Sequence, residues 1–316
     1  MLRYLEITVP KTAASASVMY FLRTEGSLTK KQISQAKFRP EGILRNGHRC
    51  RVTETAFPGD ILSVCLETAS VDSSVLTDSS SLFMPEILYE DRDLLAVNKP
   101  AGMVTHPSGI HYEDSLSNSI ARYFRSKNEA TRIRSIGRLD RETSGVLLFA
   151  KNQTAAARLQ KQREQGTLKK TYLAFVSGSL PADPDGQVHY ISVPLAPDPI
   201  SHLKMVLSPD MSLPGSKQAE TFYTVLQSNQ SSSLVQLTLK TGRTHQIRVH
   251  MAGIGHPLLG DSLYNLKDIG SHPFARAALH AEKLTFIQPF TQKEISLEAP
   301  LPEDFRLFLL PVRRLL

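Results

Sequence analysis

GRLDRETSGVLLFAK, residues 137–151, joins a polar loop bounded by Gly137 and Gly145 to an apolar run of strand length, Val146 to Lys151. Short runs rich in leucine or β-branched residues suit buried strands. Four more follow the same pattern, at Leu94–Asn98, Tyr172–Val176, Phe222–Leu226 and Leu234–Leu239. Helical spacing separates them: from about Gln153 to Glu164, from near Thr244, and after Pro302, where Phe305, Leu307, Leu309 and Leu310 supply the apolar positions. Strands with helices set between them predict an α+β body on a long, mixed, mainly antiparallel sheet with flanking helices.

Upstream, Ala69 to Leu82 reads ASVDSSVLTDSSSL, with no helical or strand period. Such Ser/Thr/Asp-rich composition suits a linker. It would divide a head, residues 1–68, from a body, residues 83–316. In the head, Ser27 can cap a helix through Lys30, Lys31 and Ile33. A strand at Gly42–Arg45 meets Asn46-Gly47, the dipeptide that most favours a tight hairpin, and a second strand covers His48–Val52. Pro58-Gly59-Asp60 then turns the chain into Ile61–Leu66. This grammar resembles a small S4-like α+β RNA-binding domain. On that resemblance Lys30, Lys31 and Arg45, with Lys37, Arg39, Arg49 and Arg51, would meet phosphates. An ordinary solvated basic face has the same composition.

The 316-residue chain carries a net charge of +7 with 41% hydrophobic and 21% charged residues, and its pI is about 9.4. These are values of a globular protein. A basic surface favours polyanions but specifies no chemistry. The two cysteines, Cys50 and Cys65, fall in apolar stretches and suit free thiols in a reducing cytosol. No Cys-x-x-Cys or His-Glu-x-x-His occurs and the ten histidines are scattered, so no metal is expected. MLRYLEITVPK lacks a signal-peptide core and no stretch approaches the roughly 20 apolar residues of a membrane span, so a cytoplasmic protein without membrane contact is expected. Gly42 to Gly47 has P-loop spacing but continues with His48-Arg49 instead of Lys-Ser/Thr. Ser144-Gly145 lacks the Gly-x of a nucleophile elbow, and no strand leads into G-x-G-x-x-G.

Asp140, between Arg138 and Arg141, has the cationic surroundings that keep a carboxylate ionised for nucleophilic or basic work. A turn aspartate salt-bridged to either arginine would have the same sequence. TGRTHQIRVH, residues 241–250, places Thr244, His245 and Arg248 at helical spacing, where Arg248 can meet a carboxylate or a phosphate. NKPAGMVTHPSG, residues 98–109, is a Pro/Gly-punctuated loop of the kind that frames sites. In KKTYLA, residues 169–174, Tyr172 enters an apolar strand, where a core role is open as well.

In order, NKPAGMVTHPSG, GRLDRETSGVLLFAKN, KKTYLAFVSG, TGRTHQIRVHMAGIGHPLLGDSLY, RAALHAEKLTF and EAPLP resemble the RluA-type RNA pseudouridine synthases across nearly the whole chain. The resemblance implies a cofactor-free isomerase that detaches uracil from C1′, rotates it and rejoins it through C5. It implies Asp140 as catalytic carboxylate, Tyr172 as the residue stacking on the target base, and Arg248 as the arginine paired with the aspartate. Arg138 would help move the uridine out of its stack. Further substrate contacts are expected from Leu139, Arg141, Thr143, His106, Arg243 and His245. Gly137 departs from the histidine common at that position, which bears on RNA selection and not on the nucleophile. The implied partner is structured RNA, ribosomal first and transfer RNA second, acted on by a monomer. A non-catalytic RNA-binding or ribosome-associated protein derived from a synthase is the alternative; the joint presence of Asp140, Tyr172 and Arg248 argues for the enzyme.

Overall fold

The computed structural model describes residues 3–26, 28–39, 41–66, 83–107, 114–129, 133–201, 203–266 and 273–309. The linker expected at 69–82 and the cap expected at Ser27 lie outside them. In the head the elements are β1 (Arg3–Thr8), β2 (Ala16–Ser17), α1 (Val18–Thr24), α2 (Lys30–Lys37), β3 (Ile43–Arg45), β4 (His48–Arg49), β5 (Thr55–Ala56) and β6 (Ile61–Leu66). Four strands pair in the order β1-β6-β3-β4. Asn46 and Gly47 both take positive φ, 51° and 80°, so the expected tight turn forms between β3 and β4. Thr29 caps α2 in a reciprocal capping box with Gln32. Phe21, Leu22, Ile33, Leu62 and Val64 form the head's core.

The body runs β7 (Glu86–Glu90), β8 (Leu94–Lys99), α3 (Leu116–Ser126), β9 (Arg134–Ser135), β10 (Ser144–Ala150), α4 (Gln153–Glu164), β11 (Lys169–Ser177) and β12 (His189–Ser192). It continues with β13 (Leu195–Pro197), β14 (Met205–Leu207), β15 (Glu220–Ser228), β16 (Ser232–Leu239), α5 (Gln246–Gly253), β17 (Leu279–Ile287), β18 (Glu294–Glu298) and α6 (Glu303–Leu309). The large sheet has the order β12-β15-β16-β11-β17-β10-β8-β7, with β18 beside β17 and β9 beside β10. Its pairs are antiparallel except β10 with β17. The body is therefore the mixed, mainly antiparallel α+β architecture that the sequence implies.

Burial follows from the alternation of strand side chains. Tyr172, Ala174 and Val176 of β11 face the main core, while Leu173 and Phe175 face a second cluster with Phe274 and Phe305. Every residue of β10 is buried, because α3 supplies Leu116, Ile120 and Phe124 and α4 supplies Ala155 and Leu159 to the same core. The head is docked on the body by Arg158 of α4. Its guanidinium donates to Gly26 O (2.6 Å) and Pro289 O (2.8 Å) and lies 5.1 Å over the Phe290 ring.

The helix expected from near Thr244 begins at Gln246. Thr244 and His245 stand in the turn before it, His245 with a φ of 54°. Leu310, expected in the last helix, lies outside the described residues.

Candidate active site

Asp140 sits in a turn closed by the Thr143 N–H, which donates to the Asp140 carbonyl at 3.1 Å. The loop after β8 holds this turn in place. Leu139 and Thr143, both expected substrate contacts, are buried. The Leu139 carbonyl accepts from Thr105 Oγ1 at 3.2 Å. Gly102 N–H donates to Arg141 O (2.8 Å), and Arg141 Nε donates back to Gly102 O (3.1 Å). Arg141 is thus fastened to the NKPAG loop by its backbone and by Nε.

Lys99, the last residue of β8, is 0% exposed. Its Nζ donates to Pro100 O (2.8 Å), Met103 O (2.7 Å) and Arg141 O (3.2 Å), using all three protons of an ammonium to join the two loops. Burial brings its pKa down to about 7 against the opposing pull of Asp140, with Arg276 lowering it further. The sequence motifs alone do not mark this lysine as part of the site. The available signal was its place at the end of the apolar run LLAVNK, directly before a proline. Below the loop, Ser144 Oγ lies 2.9 Å from His280 Nδ1, and His280 Nε2 lies 3.4 Å from Ala299 O. A carbonyl only accepts, so Nε2 carries the proton and Nδ1 accepts from the serine. Burial is the main cause that pulls the His280 pKa down to about 4.

Tyr172 is 8% exposed. Burial, then the Asp140 charge, push its phenol pKa up, which keeps it protonated. Arg248 is 3% exposed and meets Asp261, itself 0% exposed. Nε donates to Oδ2 at 2.7 Å and Nη2 to Oδ1 at 2.6 Å, with Glu142 Oε2 3.7 Å from Nη2. The resemblance implied a pair with Asp140; the ion-pair contacts of Arg248 are Asp261 and Glu142. A fully buried carboxylate demands a partner with matching geometry, and the guanidinium fork supplies it. Asp140 acts on Arg248 at longer range. Burial lowers the Arg248 pKa, but the bond to Asp261 and the charges of Asp261, Asp140 and Glu142 more than offset it.

Tyr264 completes this wall. Its ring lies 5.2 Å under the Arg248 guanidinium, and its hydroxyl accepts from Met205 N–H at 2.8 Å. The same hydroxyl is 2.9 Å from His245 Nδ1. Donation to Nδ1 leaves Nε2 of a neutral His245 as the free donor. Burial, opposed by Asp140, lowers the His245 pKa and favours that neutral form. Neither Asp261 nor Tyr264 was singled out by sequence, although both lie in the HPLLGDSLY segment.

The other expected residues spread around this centre. Exposed Arg138 donates from Nη2 to Thr244 Oγ1 at 2.9 Å, tying the Asp140 loop to the turn before α5. His106 sits between Ser135 Oγ (2.7 Å from Nε2) and Ser117 Oγ (2.8 Å from Nδ1). Desolvation of its ring, then the Arg138 charge, lower its pKa. Arg243 Nε donates to Gln218 O at 2.9 Å. In the head, Lys30 is exposed on α2, while Lys31 lies in α2 with its side chain outside the described set. Arg45 is engaged internally: it donates to Thr55 O and lies 4.0 Å from both Glu54 and Asp60. These contacts link β3 to β5.

Residues 93–253 match the family model described as RNA pseudouridylate synthase. An uncharacterized RNA pseudouridine synthase of Bacillus subtilis (strain 168), YhcT, is 40% identical, over 78% of each chain. Ribosomal large subunit pseudouridine synthase D of Nitrosomonas europaea is 31% identical, over 98% of this chain and 88% of its own. Among solved structures, human RNA pseudouridylate synthase domain containing 4 has a TM-score of 0.57 at 28% identity, over 72% of this chain and 93% of its own. With these likenesses, the chain belongs to the RNA pseudouridylate synthase family, isomerases that act on RNA.

Proposed function

We propose that Asp140 is the catalytic carboxylate and that the target is a uridine of large-subunit ribosomal RNA. One observation carries the assignment to Asp140. Its charge acts on Lys99, Tyr172, His245, Arg248 and Tyr264, groups from four separate segments that converge on one carboxylate. Asp140 either adds to C1′ of the target nucleotide or removes the proton at C2′. Tyr172 offers its ring to the detached uracil, and its raised pKa keeps the hydroxyl a donor. Arg138, held by Thr244, stands at the exposed rim where a base leaving its stack must pass. His245, with Nδ1 taken by Tyr264, keeps Nε2–H available as a donor. Exposed Lys30, Lys37 and Arg49 of the head supply phosphate contacts away from the chemistry.

The ribosomal assignment is supported by relatives whose names carry that activity: the Nitrosomonas europaea protein and a Zymomonas mobilis protein of the same name, 38% identical. The test is Asp140→Asn with pseudouridine mapped across cellular RNA in cells carrying wild type or variant. Loss of signal at large-subunit positions is expected. Identical maps would end the catalytic reading and leave a protein that only binds RNA, and loss confined to transfer RNA would move the substrate.

A further inference from the structure

Gly137 opens the catalytic loop with a φ of +83°, and a β-carbon built there would lie 3.5 Å from Arg163 Nη1. The guanidinium of Arg163, in the last turn of α4, therefore rests beside the backbone two residues before Leu139 and three before Asp140. Lys170 stands two residues ahead of Tyr172 on β11, and residues two apart on a strand share a face. Arg163 is exposed and Lys170 is half-buried. Among the described residues neither side chain has an ion-pair or hydrogen-bond partner. Other cations near the site are engaged, Arg276 with Asp304 at 2.8 Å and Arg248 with Asp261 at 2.6 Å.

We propose that Arg163 and Lys170 form a phosphate subsite beside Gly137, taking a backbone phosphate of the RNA strand that delivers the target nucleotide to Tyr172 and Asp140. Two like charges held together without a carboxylate raise each other's energy, and an anion between them reverses the sign of that interaction. The Lys170 pKa agrees: burial, and then the Arg163 charge, bring it down to about 8. The guanidinium offers a planar fork and the ammonium a point charge, which together suit the oxygens of a phosphodiester. Gly137 keeps the space clear, since nothing projects from it into the approach to Arg163. The inference rests on Tyr172 and Asp140 marking where the target nucleotide lies.

The experiment measures affinity for a labelled in vitro transcript of large-subunit ribosomal RNA against salt, for the full-length protein and for the double variant Arg163→Gln/Lys170→Gln. Losing one phosphate contact lowers the log–log salt slope by about 0.7–0.9, so the affinity lost between about 50 and 200 mM salt shrinks roughly threefold. KM for pseudouridine formation rises while kcat stays near wild type, because the contact is already made in the bound ground state. Lys170→Arg, which keeps the charge, retains the wild-type slope. Lys161→Gln, an exposed cation on the same helix, also leaves it unchanged. A double variant with the wild-type slope overturns the subsite, as does an equal drop for Lys161→Gln. A lowered slope together with a pseudouridine map insensitive to Asp140→Asn leaves the anion site standing and removes the catalytic assignment.

Discussion

Asp261→Asn tests the geometry of the centre most directly. The variant has nearly the same shape but converts an ionised acceptor into an amide, one of whose two ends must face an Arg248 N–H as a donor. Asp261 Oδ1 also accepts from Leu263 N (3.0 Å) and Tyr264 N (3.1 Å), so the amide cannot flip to suit Arg248 without opposing these two donors. Breaking a buried ion pair on one side costs about 3–5 kcal/mol. Glu142, 3.7 Å from Arg248 Nη2, recovers part of that, which places the expected loss near the lower end. For a domain of this size about 3 kcal/mol lowers the melting temperature by roughly 6–12 °C. Arg248, released from its clamp, is then drawn toward Asp140 and Glu142, and kcat is expected to fall at least about tenfold with RNA affinity little changed. The assay is thermal melting together with single-turnover pseudouridine formation. A variant that melts within about 2 °C of wild type and keeps its kcat would refute the claim that Asp261 holds Arg248 in position.

Tyr172→Phe keeps the ring and is expected to melt like wild type and bind RNA with similar affinity. Tyr172→Ala removes a stacking platform worth about 1–3 kcal/mol in RNA binding, and equal affinity for the two variants would show that no base stacks there. His280 is neutral in the fold with a pKa near 4, against about 6.5 when unfolded. Between those values the unfolded chain takes the proton first, so stability is complete above about pH 6.5 and falls toward pH 4, by up to about 3 kcal/mol. His280→Gln should flatten melting temperature against pH in that window, and an equally steep profile would exclude His280 as the source. Gly145→Ala would put a β-carbon 2.2 Å from the Ala281 carbonyl oxygen at a φ of +113°, whereas a β-carbon at Gly242 meets nothing within 4 Å. Expression trials should give no folded body for the first and wild-type yield for the second; a soluble, fully folded Gly145→Ala protein would contradict the close β10–β17 approach.

Local chemistry was legible in the sequence wherever neighbours along the chain decide the outcome. Asn46-Gly47 announced its turn, the α4 boundaries follow from residues 153–164, and the leucine-rich run after Gly145 is β10. Pairings between distant segments were not legible. Arg248 advertised the need for a carboxylate but not which one, because Asp261 becomes its partner only through the path of the chain after α5. Lys99 ends an apolar run, but only the folding of two loops onto it reveals three carbonyls around its ammonium. The β13–β14 hairpin was missed for a related reason. Its strands have three residues each, too short for any period, and they pack through Leu195, Met205 and Leu207 on Val249 and Tyr264. Ser27 looked like a cap, but Thr29 has the correct spacing to Gln32 for a reciprocal box.

The parallel contact of Ser144 and Gly145 with His280 and Ala281 has a consequence for the order of synthesis. The strand behind the Asp140 loop leaves the ribosome long before its neighbour β17, while the head's β1 and β6 are both complete within the first 66 residues. Contacts so far apart in sequence form late and slowly. A nascent chain stopped before residue 279 would therefore carry a finished head and an antiparallel β7–β8–β10 edge, but β10 would lack the neighbour that joins it to β11 and Tyr172. The head's β1–β6 pairing needs only the first 66 residues, whereas the surroundings of Asp140 are complete only when nearly the whole chain has been made.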